Sequence, residues 1–516
     1  MKEMLLQSLA ALLVSTLVEV QFNETEKTAA SPDASASIEF FDENRPLARE
    51  LEMSIADSFT LAAVGDCIVS RPLLQLRDPN FRAVVKILRA ADVTFGNLET
   101  SIIDIRGFKG YPQAETDGWW LISSPETAKD LKAMGFDLLS RANNHTMDWS
   151  IEGMRQTTDW LDQAGFVHAG SGEHRADARA ARYLETGHGR VALVSATSSF
   201  RSMAPAMPPF RQAPGRPGLN TIKTKHYTIV TAEVMRALCR ARDVMAAQHE
   251  NLKAGAEKTV EPTARELRYE LPKTFTFAGA QCLLGERPGH TYTMNPIDLR
   301  ENIRSIRQGK QHSDFLIVSL HSHQSGMDRD TPADFQQKLA HAAIDAGADA
   351  FIGHGAHRLM PIEIYKGKPV FYSLGNFFWS DIHEPVAADC YEKYNDYLTT
   401  AFGGPDNATD ADLNAILSAE GYSSDTEENL AFLSLIAVSK YEQGRVSEIR
   451  LYPVDLGYGM RLTQSGIPRT ASPTVARSIL ERLQQISQPY GTEIVIEDNV
   501  GVIRFEDLPD KKDSGE

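Results

Sequence analysis

The chain is poor in cysteine, and the few cysteines it has are far apart. Cys67, Cys239, Cys282 and Cys390 are the four among 516 residues, and no two of them form a CxxC pair. Zinc ribbons and disulfide scaffolds both need closely or regularly spaced cysteines. The sequence therefore gives no support to either class, and it leaves the redox compartment undetermined.

Positive charge is also scarce. Lysine and arginine total 53 against 69 aspartate and glutamate residues, so the formal net charge is −16. Nucleic acids and anionic membrane surfaces attract basic proteins, and neither is expected as the main partner of this chain. An anionic substrate would need local help, from a bound metal ion or from clustered arginines.

The N-terminal region lacks an apolar run long enough to predict a membrane span. Residues 4–18 are the most apolar part, and residues 34–36 resemble a signal-peptide cleavage pattern, but Gln7 interrupts the run. Residues 1–55 are therefore interpreted as a leader or linker with a weak signal segment. Export to the cell envelope and a cytoplasmic location both stay open.

What the chain does contain is an alternation of short apolar strands and amphipathic helices. Strand-like runs occur at residues 59–64, 92–95 and 314–320, and helical patterns lie between and around them. This alternation predicts an α/β fold with a mainly parallel sheet and helices on both faces.

The pattern also predicts the domain organisation. A main domain spans residues 56–390, and the weaker pattern at about 227–291 indicates an inserted helical segment. Residues 391–510 form a C-terminal α+β extension that completes or packs on this domain. Residues 511–516 are predicted to be a disordered tail.

Polar side chains that bind metals follow several of the predicted strands. Residues 349–379 contain two apolar runs; His354 and His357 follow the first, and Ser373 and Asn376 follow the second. Open α/β sheets bind ligands at the carboxyl ends of their strands, so both clusters are candidates for a binding site. Four residues earlier in the chain also follow predicted strands, namely Asp66, Glu99, Asn144 and His321.

Each of these residues, taken alone, has a simpler interpretation. Asp66 would serve equally well as a helix cap, and an isolated pair of loop histidines is more often solvated. Recurrence of the same placement favours a shared site over coincidence. A purely structural role, in which the polar residues only terminate strands, stays open.

The predicted ligands are carboxylate, amide and imidazole groups, which suit one or two divalent ions of Mn, Fe, Zn or Mg. Glu99 is the candidate bridge between two ions, an arrangement that binds both the attacking and the leaving oxygen of a phosphoryl or acyl transfer. His145, next to Asn144, is the candidate general acid, with Asp148 orienting it. Arg71 is the candidate for binding an anionic group of the substrate.

Six motifs occur in an order that resembles a known family. They are GDCIVSR at 65–71, GNLE at 96–99, NNHTMD at 143–148, SLHSH at 319–323, GHGAH at 353–357 and YSLGNF at 372–377. The set resembles the bacterial capsule-synthesis CapA family, which is linked to poly-γ-glutamate synthesis. The resemblance implies a four-layered α/β/β/α sandwich like that of metallo-dependent phosphatases. It also implies that the metal-site positions fall on the ligands already selected: Asp66, Glu99, Asn144, His321, His354 and His357.

Two positions depart from what the resemblance implies. The family commonly has His-Trp-Gly where this chain has His321, Ser322 and His323, which makes His323 an alternative ligand or a substrate contact. The phosphatases usually begin with an Asp-x-His pair, and here Ile68 stands at the histidine position. One metal would then lose a ligand, so a single-metal or weakly occupied site is an open alternative.

Two functions are compatible with these residues. The first is a metal-dependent hydrolase or transferase of capsule or poly-γ-glutamate biosynthesis, acting on a phosphoester or a γ-glutamyl-type amide. The second is a non-catalytic component that binds a polyanion during polymer synthesis or export. His145 discriminates between them, because a simple binder has no need of a proton donor beside a metal. The expected partner is an anionic small molecule or polymer, and a membrane-associated synthesis complex is also compatible.

Overall fold

The structure is a computed structural model that describes residues 53–113, 120–253, 271–379, 388–413 and 429–505. Most of the predicted leader, the centre of the predicted insertion and the predicted tail at 511–516 lie outside the described residues. The described part is a mixed α/β protein. Within it, no helix combines the length and the apolar composition needed to cross a membrane.

The bounds of the described elements follow in chain order. The strands are β1 (Phe59–Ile68), β2 (Val93–Leu98), β3 (Ser101–Ile102), β4 (Ile122–Ser123), β5 (Leu138–Ser140), β6 (Val167–Ala169), β7 (Ser171–Gly172), β8 (Arg182–Thr186), β9 (Gly189–Thr197), β10 (Gly218–Leu219), β11 (Thr224–Val230), β12 (Thr274–Phe277), β13 (Ala280–Leu284), β14 (Gly289–Met294), β15 (Phe315–His321), β16 (Ala350–His354), β17 (Ile362–Tyr365), β18 (Lys368–Phe371), β19 (Asn376–Trp379), β20 (Leu433–Glu442), β21 (Arg445–Asp455), β22 (Arg469–Thr470), β23 (Val495–Glu497) and β24 (Val500–Arg504). The helices are α1 (Pro79–Ala90), α2 (Glu126–Met134), α3 (Ser150–Gln163), α4 (Arg175–Ala178), α5 (Ala232–Lys253), α6 (Pro296–Gln311), α7 (Asp334–Asp345), α8 (Ala388–Lys393), α9 (Asn395–Phe402) and α10 (Pro473–Ser487).

Three of the longer helices begin with the same local signal, a capping side chain followed by proline. Asp78 accepts hydrogen bonds from the first backbone N–H groups of α1, Asn295 does so for α6, and Ser472 does so for α10. The proline that follows each cap has a backbone φ angle already suited to a helix and lacks the N–H group that would otherwise need a partner. Sequence alone therefore defines these helix starts.

Two large sheets organise the described chain. Ten strands form the larger sheet, in the order β23-β24-β21-β20-β1-β2-β5-β6, with β19 paired to β1 and β22 to β21. Six strands form the smaller sheet, in the order β17-β18-β16-β15-β9-β8. The neighbouring strands β1, β2, β5 and β6 are parallel, as are β9, β15, β16 and β18.

The two sheets pack face to face. Leu61 of β1 lies in one hydrophobic cluster with Leu193 and Ile317 of the smaller sheet, whereas its neighbour Ala62 lies in another cluster with Phe81 of α1. Alternate residues of β1 therefore face the smaller sheet and the helix layer, as the two-residue period of a strand requires. Helix α2 joins the layer of α1. Helices α6 and α7 contact the smaller sheet.

This arrangement differs from the mainly parallel sheet with helices on both faces that the strand–helix alternation predicts, because a second sheet is present. Each large sheet is covered on one face by the other sheet. The apolar runs were identified correctly, but a strand buried on both faces has the same sequence pattern whether a helix or a second sheet covers it.

The C-terminal extension contributes strands to the larger sheet. Its strands β20 and β21 form an antiparallel pair, and β20 pairs with β1 in antiparallel register. Strand β20 is thus the antiparallel strand next to the parallel part of the larger sheet. Strands β21 and β24 extend the sheet on the far side of β20.

The chain divides into two compact units, and the smaller one contains residues 226–291. Its described part has the long helix α5 and the strands β12 and β13, with Met235, Cys239 and Phe275 in its core. The prediction of a helical insertion is therefore incomplete. The two strands are short and half-exposed, so they lack the apolar run on which a strand prediction rests.

Candidate metal centre

The carboxyl ends of parallel strands carry the candidate ligands. In the larger sheet, Asp66 of β1 is in register with Asn97 of β2 and with Asn376 of β19. In the smaller sheet, His321 of β15 is in register with His354 of β16. All five side chains are buried. Parallel pairing explains why residues so distant in sequence share one edge of each sheet.

A close contact between two chain segments shapes the end of β1. A Cβ atom at Gly65 would lie 1.8 Å from the carbonyl oxygen of Gly375, so no other residue fits there. The N–H group of Asp66 donates to the same carbonyl oxygen at 3.0 Å. These contacts hold Asp66 against the segment that leads into β19.

The carboxylate of Asp66 is held by two hydrogen bonds. Its Oδ1 accepts from Asn97 Nδ2 at 2.8 Å, and its Oδ2 accepts from the N–H group of Gly355 at 2.9 Å. Burial alone would raise the pKa of Asp66, but the contact with His321 and the attraction of His357 outweigh it and lower the pKa. Asp66 is therefore an anion at neutral pH, as a metal ligand must be.

Two sets of three potential ligands share Glu99. Ligand atoms of Asp66, Glu99 and His321 lie within 4.8 Å of one another, and so do those of Glu99, His323 and His357. Glu99 Oε1 is 3.5 Å from His321 Nε2, and the Nε2 atoms of His321 and His323 are 3.0 Å apart. A shared carboxylate is the arrangement expected of a bridged pair of ions, and the second set includes the alternative ligand His323.

His354 and Asn144 add buried polar atoms that lack partners. Among the residues that the structure describes, neither ring nitrogen of His354 has a hydrogen-bond partner, and neither does Oδ1 of Asn144. Burial lowers the pKa of His354 to about 4, although Asp66 opposes this shift, so the imidazole is neutral at neutral pH. Unpaired buried polar atoms are costly, and a cation coordinated by them would offset that cost. The donor set therefore fits a divalent metal ion.

Asn376 orients the imidazole of His357. Nδ1 of His357 lies 2.8 Å from Asn376 Oδ1, and Asn376 Nδ2 donates to the carbonyl oxygen of Ala431 at 2.9 Å. Because the amide nitrogen is engaged there, the amide oxygen faces the ring, and Nδ1 of His357 carries the proton. The lone pair on Nε2 of His357 is then available to coordinate a metal ion.

A histidine–aspartate pair adjoins the ligand cluster. His145 Nδ1 lies 2.7 Å from Asp148 Oδ2, which also accepts from the N–H group of Leu121 at 2.8 Å. Arg201 Nη2 lies 3.5 Å from the other carboxylate oxygen of Asp148. The buried carboxylate fixes the proton of His145 on Nδ1 and leaves Nε2 available for proton transfer.

Two asparagines of the site were missed in the sequence analysis. Asn97 connects Asp66 to Asn143, whose Nδ2 donates to Asn97 Oδ1 at 3.1 Å. The oxygen of Asn143 accepts from the N–H group of His145 at 3.2 Å, so one chain of amides links the carboxylate to the His145 loop. Both asparagines stand inside motifs already singled out, GNLE and NNHTMD, which was the available signal.

Two other predicted site residues contact the backbone. Arg71 Nη2 donates to the carbonyl oxygen of Thr463 at 2.6 Å. Ser373 Oγ accepts from the N–H group of Gly375 at 3.2 Å. Ser373 thus supports the turn that carries Gly375 toward Gly65, while an anion-binding role of Arg71 stays a prediction.

A family model described as bacterial capsule synthesis protein PGA_cap matches residues 60–380. The chain belongs to this family. The matched residues run from β1 through β19, so every candidate ligand of the PGA_cap member lies within them.

Similar proteins extend over most of the chain. The uncharacterized protein y4sH of Sinorhizobium fredii is 45% identical over 461 residues, which cover 88% of this chain and 94% of the relative. The PGA biosynthesis protein CapA of Bacillus subtilis is 27% identical over 66% of this chain and 69% of its own length. The capsule biosynthesis protein CapA of Bacillus anthracis is 25% identical over 62% of this chain and 60% of its own length.

Proposed function

We propose that this PGA_cap protein is a divalent-metal-dependent hydrolase or transferase of capsule or poly-γ-glutamate biosynthesis. Its substrate is anionic, a phosphoester or a γ-glutamyl-type amide. The observation that carries the proposal is the sharing of Glu99 by two ligand sets beside the His145–Asp148 pair. The relatives named for capsule and PGA biosynthesis support the biological setting.

The proposal extends to the architecture. The layer order of the described main unit, with α1 and α2 outside one sheet and α6 and α7 outside the other, supports a four-layered sandwich of the metallo-dependent phosphatase type. Parallel sheets bind ligands at the carboxyl ends of their strands, and the positions of Asp66 near the end of β1 and His321 at the end of β15 support this architecture.

In the proposed mechanism the residues of the chain have two roles, and the first is to hold the metal ions. One ion would be held by Asp66, Glu99 and His321, and a second by Glu99, His323 and His357. The chemistry that divalent ions supply in such a site is Lewis acidity toward an oxygen of the substrate.

Proton transfer is the second role, and it belongs to His145. In the imidazolium form, which Asp148 stabilises, Nε2 of His145 gives its proton to the leaving group, and the ring is left neutral with its remaining proton on Nδ1 toward Asp148. Burial of Asp66, Glu99 and His321 keeps competing water away from the charged groups.

Elemental analysis by mass spectrometry tests whether the centre binds metal. We expect about one or two equivalents of Mn, Fe or Zn in the wild type after reloading, and loss of this metal in the Asp66→Ala, His354→Ala double variant. His188→Gln is the matched control, because His188 is partly exposed and contacts Asp92 at 3.4 Å. A metal-free wild type after reloading would contradict the proposal.

A second variant separates catalysis from binding. His145→Gln should keep its metal but lose about 10²–10⁴-fold in turnover of a phosphoester or γ-glutamyl amide, because a general acid contributes about that much. Metal binding and retention of poly-γ-glutamate without turnover of either substrate class would instead favour the polyanion-binding role. In that case His145→Gln would leave polymer binding unchanged.

A further inference from the structure

A proline-rich hairpin projects from the main unit between β9 and β11. Its base is buried, since Ala204 and Leu219 pack with Met147 and Met154 in one hydrophobic cluster. Reciprocal backbone hydrogen bonds join Met207 to Arg216 at 3.0 Å. The hairpin is therefore anchored to the segment that carries His145, and its outer part extends away from this base.

The tip of the hairpin is exposed although it carries large apolar side chains. Phe210 is 70% exposed and Met207 is 41% exposed. Backbone bonds between Phe210 and Ala213, at 3.1 and 3.0 Å, close the turn. Five prolines stiffen the hairpin, namely Pro205, Pro208, Pro209, Pro214 and Pro217. A stiff hairpin presents these side chains at a low cost in conformational entropy.

Charge on this segment is opposite to that of the molecule. Residues 198–225 contain no aspartate or glutamate, and their basic residues are Arg201, Arg211, Arg216, Lys223 and Lys225. At the tip, the guanidinium of Arg211 lies over the ring of Phe210, 5.3 Å from its centre. The net charge of −16 opposes adsorption of the whole surface to an anionic layer, but it favours an orientation in which this acid-free, basic segment faces such a layer.

We propose that residues 207–214 dock on a bilayer surface that contains anionic lipid. Phe210 and Met207 enter the boundary between headgroups and acyl chains, and Arg211 contacts lipid phosphate. An exposed apolar tip flanked by arginine suits this boundary, where one part of a side chain is dry and the other is hydrated. A protein interface of standard size buries about 800 Å² on each partner, more than eight residues at a tip offer.

Flotation of the full-length protein with vesicles tests this docking. We expect binding to vesicles of equimolar phosphatidylglycerol and phosphatidylcholine, and much weaker binding to phosphatidylcholine alone. Arg211→Gln should lower the partition coefficient about fivefold, and Phe210→Ser about tenfold. Neither side chain is buried, so the thermal unfolding of both variants should match that of the wild type.

Matched controls carry the same chemical changes elsewhere on the chain. Tyr397→Ser removes an aromatic side chain from a residue that is 50% exposed, and Arg477→Gln removes an arginine whose side chain is 72% exposed. Both should bind vesicles as the wild type does. Hydrogen exchange should slow on residues 207–214 when anionic vesicles are added.

Three results would overturn the docking proposal. They are wild-type binding that does not depend on phosphatidylglycerol, hairpin variants that bind as tightly as the controls, and absence of binding by the wild type. The metal content of the protein does not enter any of these measurements, so the proposed docking and the proposed function can fail separately.

Discussion

Amide side chains hold the charged and aromatic groups of the candidate centre in place. Asn97 donates to the carboxylate of Asp66, and Asn376 accepts from the ring of His357. Neither amide carries charge, so each orients its neighbour without competing for a cation. The affinity of the centre for metal therefore depends on residues that are not ligands themselves.

Replacing Asn376 tests this dependence. Asn376→Leu removes the acceptor of the His357 Nδ1 proton, and we expect metal affinity to fall about 10–100-fold. Asn376→Asp keeps an acceptor at the same place and should retain most of the affinity. Competition titration with a coloured chelator measures both. Asn80→Leu, at an exposed position, is the control, and equal affinities of Asn376→Leu and the wild type would show that His357 needs no orientation.

The clustering of charged residues and histidines could be predicted from sequence, but the involvement of Asn97 and the contact of Asn376 with His357 could not. Asp66, His321 and His354 each end an apolar run, and parallel pairing brings such ends to one edge. The roles of Asn97 and Asn376 depend on which strands flank β1, and these two residues are 31 and 310 positions away from Asp66 in sequence. A local pattern carries no information on that choice.

At the scale of elements, one buried carboxylate joins a helix to two strands. Asp349, directly before β16, lies 2.8 Å from Lys310 of α6 and 2.7 Å from Lys368 of β18. It also accepts from the N–H group of Leu316 at 2.9 Å. Burial would raise the pKa of Asp349, but the two lysines outweigh this and lower it. The ion triad therefore contributes stability as long as Asp349 is ionised.

Asp349→Asn should destabilise the protein by about 3 kcal/mol, because it leaves Lys310 buried without a counter-ion. Since the pKa of the folded state lies below the ordinary 3.8, the contribution is complete above that pH and is lost as pH falls through the folded value. Urea unfolding at neutral and at acidic pH should therefore show a difference that shrinks on acidification.

Asp345→Asn is the control for the buried triad, because its partner Lys366 is largely exposed. It should cost less than about 1 kcal/mol. An equal cost for the two variants would mean that burial of the Asp349 triad adds nothing.

Helices and central strands followed from the sequence more readily than edge strands did. The helical pattern expected between the first two strand-like runs is present as α1, and the strand predicted at 314–320 is β15. Strands β8 and β17, which lie at the two edges of the smaller sheet, were not predicted. None of the residues of β8 and only half of those of β17 are buried, and both strands pair in antiparallel hairpins, so they lack the continuous apolar run of a central strand.

At the scale of the whole molecule, the inserted unit should be dispensable for the candidate centre. The N–H group of Asn295 donates to the carbonyl oxygen of Lys223 at 2.7 Å, so the chain leaves and re-enters the main unit at adjacent points. Replacing residues 226–291 by a two-glycine linker should leave metal content unchanged and shift the melting temperature by less than about 4 °C.

Elemental analysis measures the metal content of this deletion variant, and calorimetry measures its melting temperature. A second linker of four glycines controls for strain at the junction. Loss of metal with both linkers would show that the insertion supports the centre, contrary to the division of the chain into two units.

The candidate ligands are divided between the two large sheets, and this division makes cation binding a mechanical link. Asp66 stands on the larger sheet and His321 on the smaller one, with a common core between their layers. An ion held by both would resist any sliding of one layer over the other and would raise the melting temperature with its concentration. By reciprocity, a substitution deep in the core that shifts the two layers would weaken ion binding without touching a ligand.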